Sequence, residues 1–183
     1  LLDFHGESET INTACSSSLV AIHHAVNALH RRECSMALAG GINVILNPFM
    51  HYALKQNGML SPDGRCRTFD ARANGYVRGE GCGVILLKPV KQAYQDGDHI
   101  YALIKGSAVN HDGMTNSFTA PNPVMQTALI KEVYEKNKIR ADYLSYIETH
   151  GTGTKLGDPI EVNALKDAFD SMSQDMKVPK KEQ

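Results

Sequence analysis

Two short stretches hold the residues whose types could do chemistry. One is Thr13-Ala14-Cys15-Ser16-Ser17-Ser18-Leu19 and the other is Glu148-Thr149-His150-Gly151-Thr152-Gly153-Thr154. A thiol at a helix N-terminus meets unpaired backbone N–H groups and a positive dipole, which favour the nucleophilic thiolate. Cys15 reads as such a thiol. Thr10-Ile11-Asn12-Thr13 is β-prone, and Leu19, Ile22, Val26 and Leu29 follow at steps of three and four. The uncharged run from Ala14 to Ile22 makes the helix read as buried. Burial opposes the thiolate, so the helix end must win or a base must assist. The bland alternative is a structural cysteine that packs as a small hydrophobe.

His150 reads as the end of a strand, Tyr143 to Glu148, followed by a glycine turn. Open α/β sheets place ligands at such strand ends. Thr152 and Thr154, two positions apart, can turn their hydroxyls into one groove. The glycine spacing does not fit a dinucleotide fingerprint, and the lysine does not fit a phosphate loop. Cys15 and His150 stand far apart in sequence, as a nucleophile and histidine joined by the fold would. A papain-like hydrolase has the same spacing, but its Cys-Gly-Ser/Ala-Cys signature is missing and the chain contains no Trp.

The elements that must position these groups follow from pattern. Ser35 to Val44 and Cys82 to Leu87 read as buried strands, the second covered on both faces. Pro48 to Gln56 reads as a short helix, Tyr101 to Val109 as a strand, and Val124 to Lys136 as a helix. Residues 57–81 form a long Gly/Asp/Arg-rich stretch, and such loops are functional or tightly self-packed. Asp158-Pro159-Ile160-Glu161 has the pattern of a capping box, opening a helix to about Phe169. Residues 171–183 read as a polar tail of disorder-prone composition. Strands alternating with helices imply an α/β fold with a largely parallel sheet.

Bulk properties bound the function. Hydrophobic residues make up 42% of the 183 and charged residues 21%, which suits a globular protein with a core. The net charge of −1 gives no field for nucleic acid, and no apolar run is long enough to span a membrane. Cys15, Cys34, Cys66 and Cys82 form no paired motif and read as reduced thiols in a cytoplasmic protein. No spacing of histidines and cysteines suggests a metal site. His23, His24 and His30 read as packing or dipole partners, and His111 as shaping its loop.

With these residues in view, the chain resembles the β-ketoacyl synthases of modular polyketide and fatty-acid synthases. Thr13 to Leu19 resembles their nucleophile motif. Phe69 to Gly81 resembles the loop before their central strand, and Asn110-His111-Asp112-Gly113 with Thr119-Ala120-Pro121-Asn122 resembles the next loop. Glu148 to Thr154, with Gly157-Asp158-Pro159-Ile160-Glu161, resembles the first active-site histidine motif. The resemblance implies a thiolase-like layered αβαβα fold, present in part. Residues 1–90 would end the N-terminal half and 91–170 would open the C-terminal half, together a partial ketosynthase domain over 1–170.

It also implies the chemistry. Cys15 would take an acyl group, and a malonyl-type thioester would lose carbon dioxide to give the attacking carbanion. His150 would donate to the enolate oxygen. Thr152 and Thr154 would bind the pantetheine arm, with Asp158 and Glu161 in support. Glu161 would pair with a lysine that the chain lacks. No cofactor is implied on the enzyme itself, because substrates ride on the phosphopantetheine of an acyl carrier protein. A homodimer and other synthase domains are the implied partners. The second active-site histidine motif and the glycine-rich turn with a gating Phe are missing. The alternative is therefore an incomplete, non-catalytic piece that binds a carrier protein. Asn12, Asn74 and Ser117 depart mildly from the family's usual residues.

Overall fold

The computed structural model describes residues 3–115 and 120–177 of the 183. The chain divides into two compact units, residues 1–45 with 79–109 and residues 46–78 with 110–183.

In the first unit, a single turn of 3₁₀ helix, Ala14–Ser16, runs directly into α1, Ser17–His30. Strand β1, Ala37–Asn43, pairs antiparallel with β2, Gly81–Leu87, with Ala39 opposite Ile85. Glycines make this arrangement possible. A Cβ on Gly41 would lie 2.8 Å from the Ser18 Cβ, so its absence lets α1 sit close on β1. Val20 of α1 and Ala39 of β1 are buried. A short helix α3, Val90–Asp96, follows and ends at Gly97, whose φ of 72° gives the left-handed cap that glycine adopts without strain. Lys88 Nζ sits 2.5 Å from both Asp96 Oδ2 and Asp98 Oδ2, tying the start of α3 to the residues around its end.

In the second unit, α2 spans Phe49–Gln56, α4 spans Pro123–Lys136 and α5 spans Gly157–Lys177. Asn122 caps α4, its side-chain oxygen accepting from the Val124 and Met125 N–H groups, with Pro123 at the first position. Helices α4 and α5 pack together. Ala164, Ala168 and Met172 recur every four residues and form the buried stripe of α5. The small alanines allow close approach: Thr127 Oγ1 donates to the Ala164 carbonyl at 3.2 Å, and Tyr134 meets Phe169 edge to face, with ring centroids 5.5 Å apart. Burial pushes the Tyr134 hydroxyl pKa up.

Several expectations change. Residues 10–13, 101–109 and 143–148 join no ladder, so none is a strand here. The sheet among the described residues has two antiparallel strands and is not largely parallel. A β-prone segment becomes a strand only when a neighbour supplies its ladder, and these segments find none. Strand β2 is not covered on both faces: Val84 and Leu86 are exposed. Helix α1 is buried on one side only, and Leu19 is 71% exposed. Among the described elements β1 is the main packing partner of α1, and the Leu19 side chain lies off that contact. Helix α5 continues to Lys177, well past Phe169, because Met172 extends its buried stripe by another turn. The short helix α3 was not anticipated, although Pro89 and Gly97 bracket it. The expectations at Ser117 and Thr119 lie outside the described residues.

Candidate active site

Cys15 belongs to the first unit and His150 to the second. Cys15 is the central residue of the 3₁₀ turn, and its thiol is exposed. The residue before it, Ala14, has a φ of 57°, in the left-handed region that side chains with a Cβ disfavour by about 1–2 kcal/mol. Hydrogen bonds hold it there. The Asn12 side chain accepts from the Ala14 N–H at 3.2 Å, and the Ala14 carbonyl accepts from the Ser17 hydroxyl at 2.7 Å and from the Ser17 N–H. Ser17 Oγ also accepts from the Thr13 N–H at 2.9 Å. Thus Asn12, Thr13 and Ser17 fix a strained bend that presents Cys15 at the helix start. Strain of this kind concentrates where function requires it. A small residue before the cysteine was the only sequence signal for the bend.

His150 opens a turn held on one side by two carboxylates of α5. Glu161 accepts from the His150 N–H at 2.6 Å through Oε1 and from the Gly151 N–H at 2.9 Å through Oε2. Asp158, 4% exposed, accepts from the Gly153 N–H at 2.9 Å through Oδ1 and from the Phe69 N–H at 2.7 Å through Oδ2. The capping-box expectation is therefore overturned. Neither carboxylate serves its own helix end; both reach back to the histidine turn. The cap comes from Thr154, whose Oγ1 accepts from the Gly157 N–H at 3.0 Å. Among the described residues Glu161 forms no ion pair with a lysine.

Gly151 and Gly153 have φ of 53° and 69°, so the turn uses left-handed backbone twice within three residues. The hydroxyls of Thr152 and Thr154 lie 3.0 Å apart, on one side of the turn as their spacing suggested. The imidazole of His150 is exposed.

The long stretch of residues 57–78 packs on itself and on this turn. Leu60 and Tyr76 form an isolated parallel bridge, and Asp63 gathers the Arg67 guanidinium and the Asn74 amide. Those two donors hold the Asp63 carboxyl below the usual carboxylate range. Asp70 is held well below it by a two-pronged pairing with Arg72. In the loop after residue 109, the His111 ring accepts from the Gly113 N–H at 2.8 Å, a loop-shaping bond as expected. His23 bonds to Ser107 and Asn27 within the first unit. Among the described residues no group of three side chains could hold a metal ion, and no helix is long and apolar enough to cross a membrane.

Comparison with known proteins identifies the family. The family model for the β-ketoacyl synthase N-terminal domain matches residues 1–93, and that for the C-terminal domain matches residues 101–180. Polyketide synthase PksN of Bacillus subtilis is 55% identical over 168 residues, which is 92% of this chain and 3% of that protein. The highly reducing polyketide synthase cla2 of Cladosporium cladosporioides is 52% identical over 91% of this chain and 7% of its own length. Among solved structures, the ketosynthase from module 6 of the Bacillus subtilis bacillaene synthase superposes with a TM-score of 0.87 at 50% identity, covering 88% of this chain and 29% of that one. The oxazolomycin ketosynthase domain OzmH KS7 of Streptomyces albus superposes with a TM-score of 0.89 at 46% identity, covering 91% of this chain and 30% of that one. The chain thus spans under a third of the ketosynthases it matches. With a held bend at the cysteine, a braced histidine turn and both family models in sequence order, the chain belongs to the β-ketoacyl synthase family and carries part of its thiolase-like α/β fold.

Proposed function

We infer that this chain is the part of a polyketide synthase ketosynthase that supplies the acyl-accepting cysteine and one enolate-stabilising histidine. The Cys15 sulfur attacks the thioester of an acyl group, the carbon–sulfur bond to pantetheine breaks, and the released pantetheine thiol takes the proton. A malonyl-type thioester then loses carbon dioxide, and the electron pair of the broken carbon–carbon bond passes into an enolate. His150 donates an N–H to the enolate oxygen, which lowers the barrier because charge develops there. The enolate carbon attacks the Cys15 thioester, the new carbon–carbon bond forms, and the cysteine sulfur leaves and regains a proton. Thr152 and Thr154 offer hydroxyls to the pantetheine arm. Asp158 and Glu161 support the reaction by bracing the histidine turn. The partners are an acyl carrier protein bearing phosphopantetheine, the other domains of a cytoplasmic synthase, and a second copy in a homodimer.

The observation that carries this reading is the clamp of Glu161 on the N–H groups of His150 and Gly151. The two bonds fix the backbone at and just after His150, whose side chain is exposed and not packed. The test is incubation of the protein with an acyl-pantetheine thioester, followed by mass spectrometry. Acylation at Cys15, lost in Cys15→Ala, is expected. Folded protein that takes up no acyl group, or takes it up at another residue, refutes the reading.

A further inference from the structure

The histidine turn is held on two sides, and the carboxylates of α5 account for only one. They take the N–H groups of His150, Gly151 and Gly153. The carbonyls of the same turn point the other way, toward residues 66–75. Thr68 Oγ1 donates to the Gly151 carbonyl at 2.5 Å, the Cys66 thiol donates to the Thr152 carbonyl at 3.2 Å, and the Gly75 N–H donates to the Gly153 carbonyl at 3.0 Å. Residues 66–75 form a strap that is tied in turn to α5, because Asp158 accepts from both the Phe69 and Gly153 N–H groups. Strap, turn and helix therefore close into one ring of hydrogen bonds around the residue that precedes the glycines.

Thr68 does two things in that ring. Its hydroxyl fixes the Gly151 carbonyl. Its methyl fills the space beside Gly151, where an added Cβ would lie only 2.6 Å from Thr68 Cγ2. A β-branched side chain suits both tasks, since its χ1 is stiff and the methyl and hydroxyl are set together. The peptide plane on the C-terminal side of His150 is held by Glu161 at the Gly151 N–H, and the next plane by Thr68 at the Gly151 carbonyl. Releasing the second leaves the His150 backbone tethered but free to rock about Gly151, whose conformation glycine alone does not restrict.

The geometry points to Thr68, with Cys66 beside it, as a positioning residue for His150. It touches no substrate; it sets the direction in which the imidazole N–H is offered. The inference rests on the reading of His150 given above. Its consequence is selective. The nucleophile lies in the other unit, so loss of Thr68 slows the His150-dependent release of carbon dioxide and spares acyl transfer to Cys15.

The test uses the full synthase chain that we propose contains these residues, with malonyl-pantetheine and acyl-pantetheine thioesters as separate probes. Thr68→Val keeps the shape and removes the O–H; Thr68→Ser keeps the O–H. Expected is a fall of about tenfold in carbon dioxide release for Thr68→Val, the scale of one hydrogen bond lost at a reacting group. Cys15 acylation stays unchanged, and Thr68→Ser restores most of the lost rate. Equal loss of both rates marks a merely structural role and overturns the inference, as does a Thr68→Val variant that behaves like the parent. If Thr68→Val does not fold, Cys66→Ala decides: a selective loss of carbon dioxide release supports the strap, and any other result overturns it. His150→Ala runs alongside. If it leaves carbon dioxide release intact, the reading of His150 fails; if it abolishes release while Thr68→Val leaves the rate unchanged, only the present inference fails.

Discussion

Asp158→Asn separates two roles for one carboxylate. As a helix cap, Asn is as good as Asp, so a capping Asp158 would tolerate the change at well under the ~1 kcal/mol that a lost cap costs. The structure gives it another role. Oδ1 takes the Gly153 N–H at 2.9 Å and Oδ2 takes the Phe69 N–H at 2.7 Å, in a side chain only 4% exposed. An amide has one oxygen and one NH₂, so one of the two backbone donors must face another donor. That donor is left buried without a partner at about 1–3 kcal/mol, and the remaining bond loses its charge. The combined cost is about 2–4 kcal/mol. Native-state hydrogen exchange reads this directly: the Gly153 and Phe69 amides should exchange about 30- to 700-fold faster, at tenfold per 1.4 kcal/mol. Amides at the far end of α5 should change less. Unaltered exchange at both sites, or an effect confined to the first turn of α5, would refute the bridge and restore the cap.

Other perturbations probe the rest of the frame. Gly40→Ala should cost up to about 3 kcal/mol, seen as a lower urea midpoint, because a Cβ there would lie 2.1 Å from the Gly83 carbonyl oxygen of the partner strand. Asn122→Ala should cost about 1–3 kcal/mol by removing the α4 cap and the amide's bond to the Asp112 carbonyl, with amide exchange in the last turn of α4 unchanged. For Lys88→Met the difference in thermal midpoint should depend on pH. Hydrogen bonds to Asp96 and Asp98 raise the Lys88 pKa, so that contribution is complete below the unfolded lysine value and is lost as pH rises through the folded one. Lys88 lowers the Asp96 pKa, so that contribution is complete above the unfolded aspartate value and is lost as pH falls through the folded one. The difference should therefore be flat between about pH 5 and 9 and shrink at both ends.

Motif and periodicity placed the helices better than they placed the sheet. Helices α1, α2 and α4 emerge near the expected residues because each carries its own signal: apolar spacing in α1, Pro48 before α2, and Asn122-Pro123 at the start of α4. Helical hydrogen bonds are internal to the segment, so a local signal suffices. A strand needs a partner. The apolar runs 101–109 and 143–148 are β-prone, yet Tyr101, Leu103 and Tyr146 stand exposed and no ladder forms. The same is true of the outer faces of β1 and β2, where Ile42, Val84 and Leu86 are exposed. These residues are apolar as buried strands are, and the chain spans under a third of the ketosynthases it matches.

The acidic pair of α5 shows where sequence reasoning reaches its limit for a physical reason. Asp158 and Glu161 stand three positions apart just behind a glycine turn, and that spacing serves two arrangements equally. In one, each side chain folds back on the first turn of its own helix. In the other, each extends to a preceding loop that passes over the helix end. Which one wins depends on whether the loop offers unpaired N–H groups within reach. Here it does, because left-handed Gly151 and Gly153 turn successive amides toward α5, while Thr154 caps the helix instead and frees Asp158. The choice therefore follows the conformation of the turn, whose carbonyls are bonded by Thr68 and Cys66. Residues some eighty positions upstream thus bond to the turn whose amides the acidic pair takes, and no reading confined to residues 148–161 could have found them.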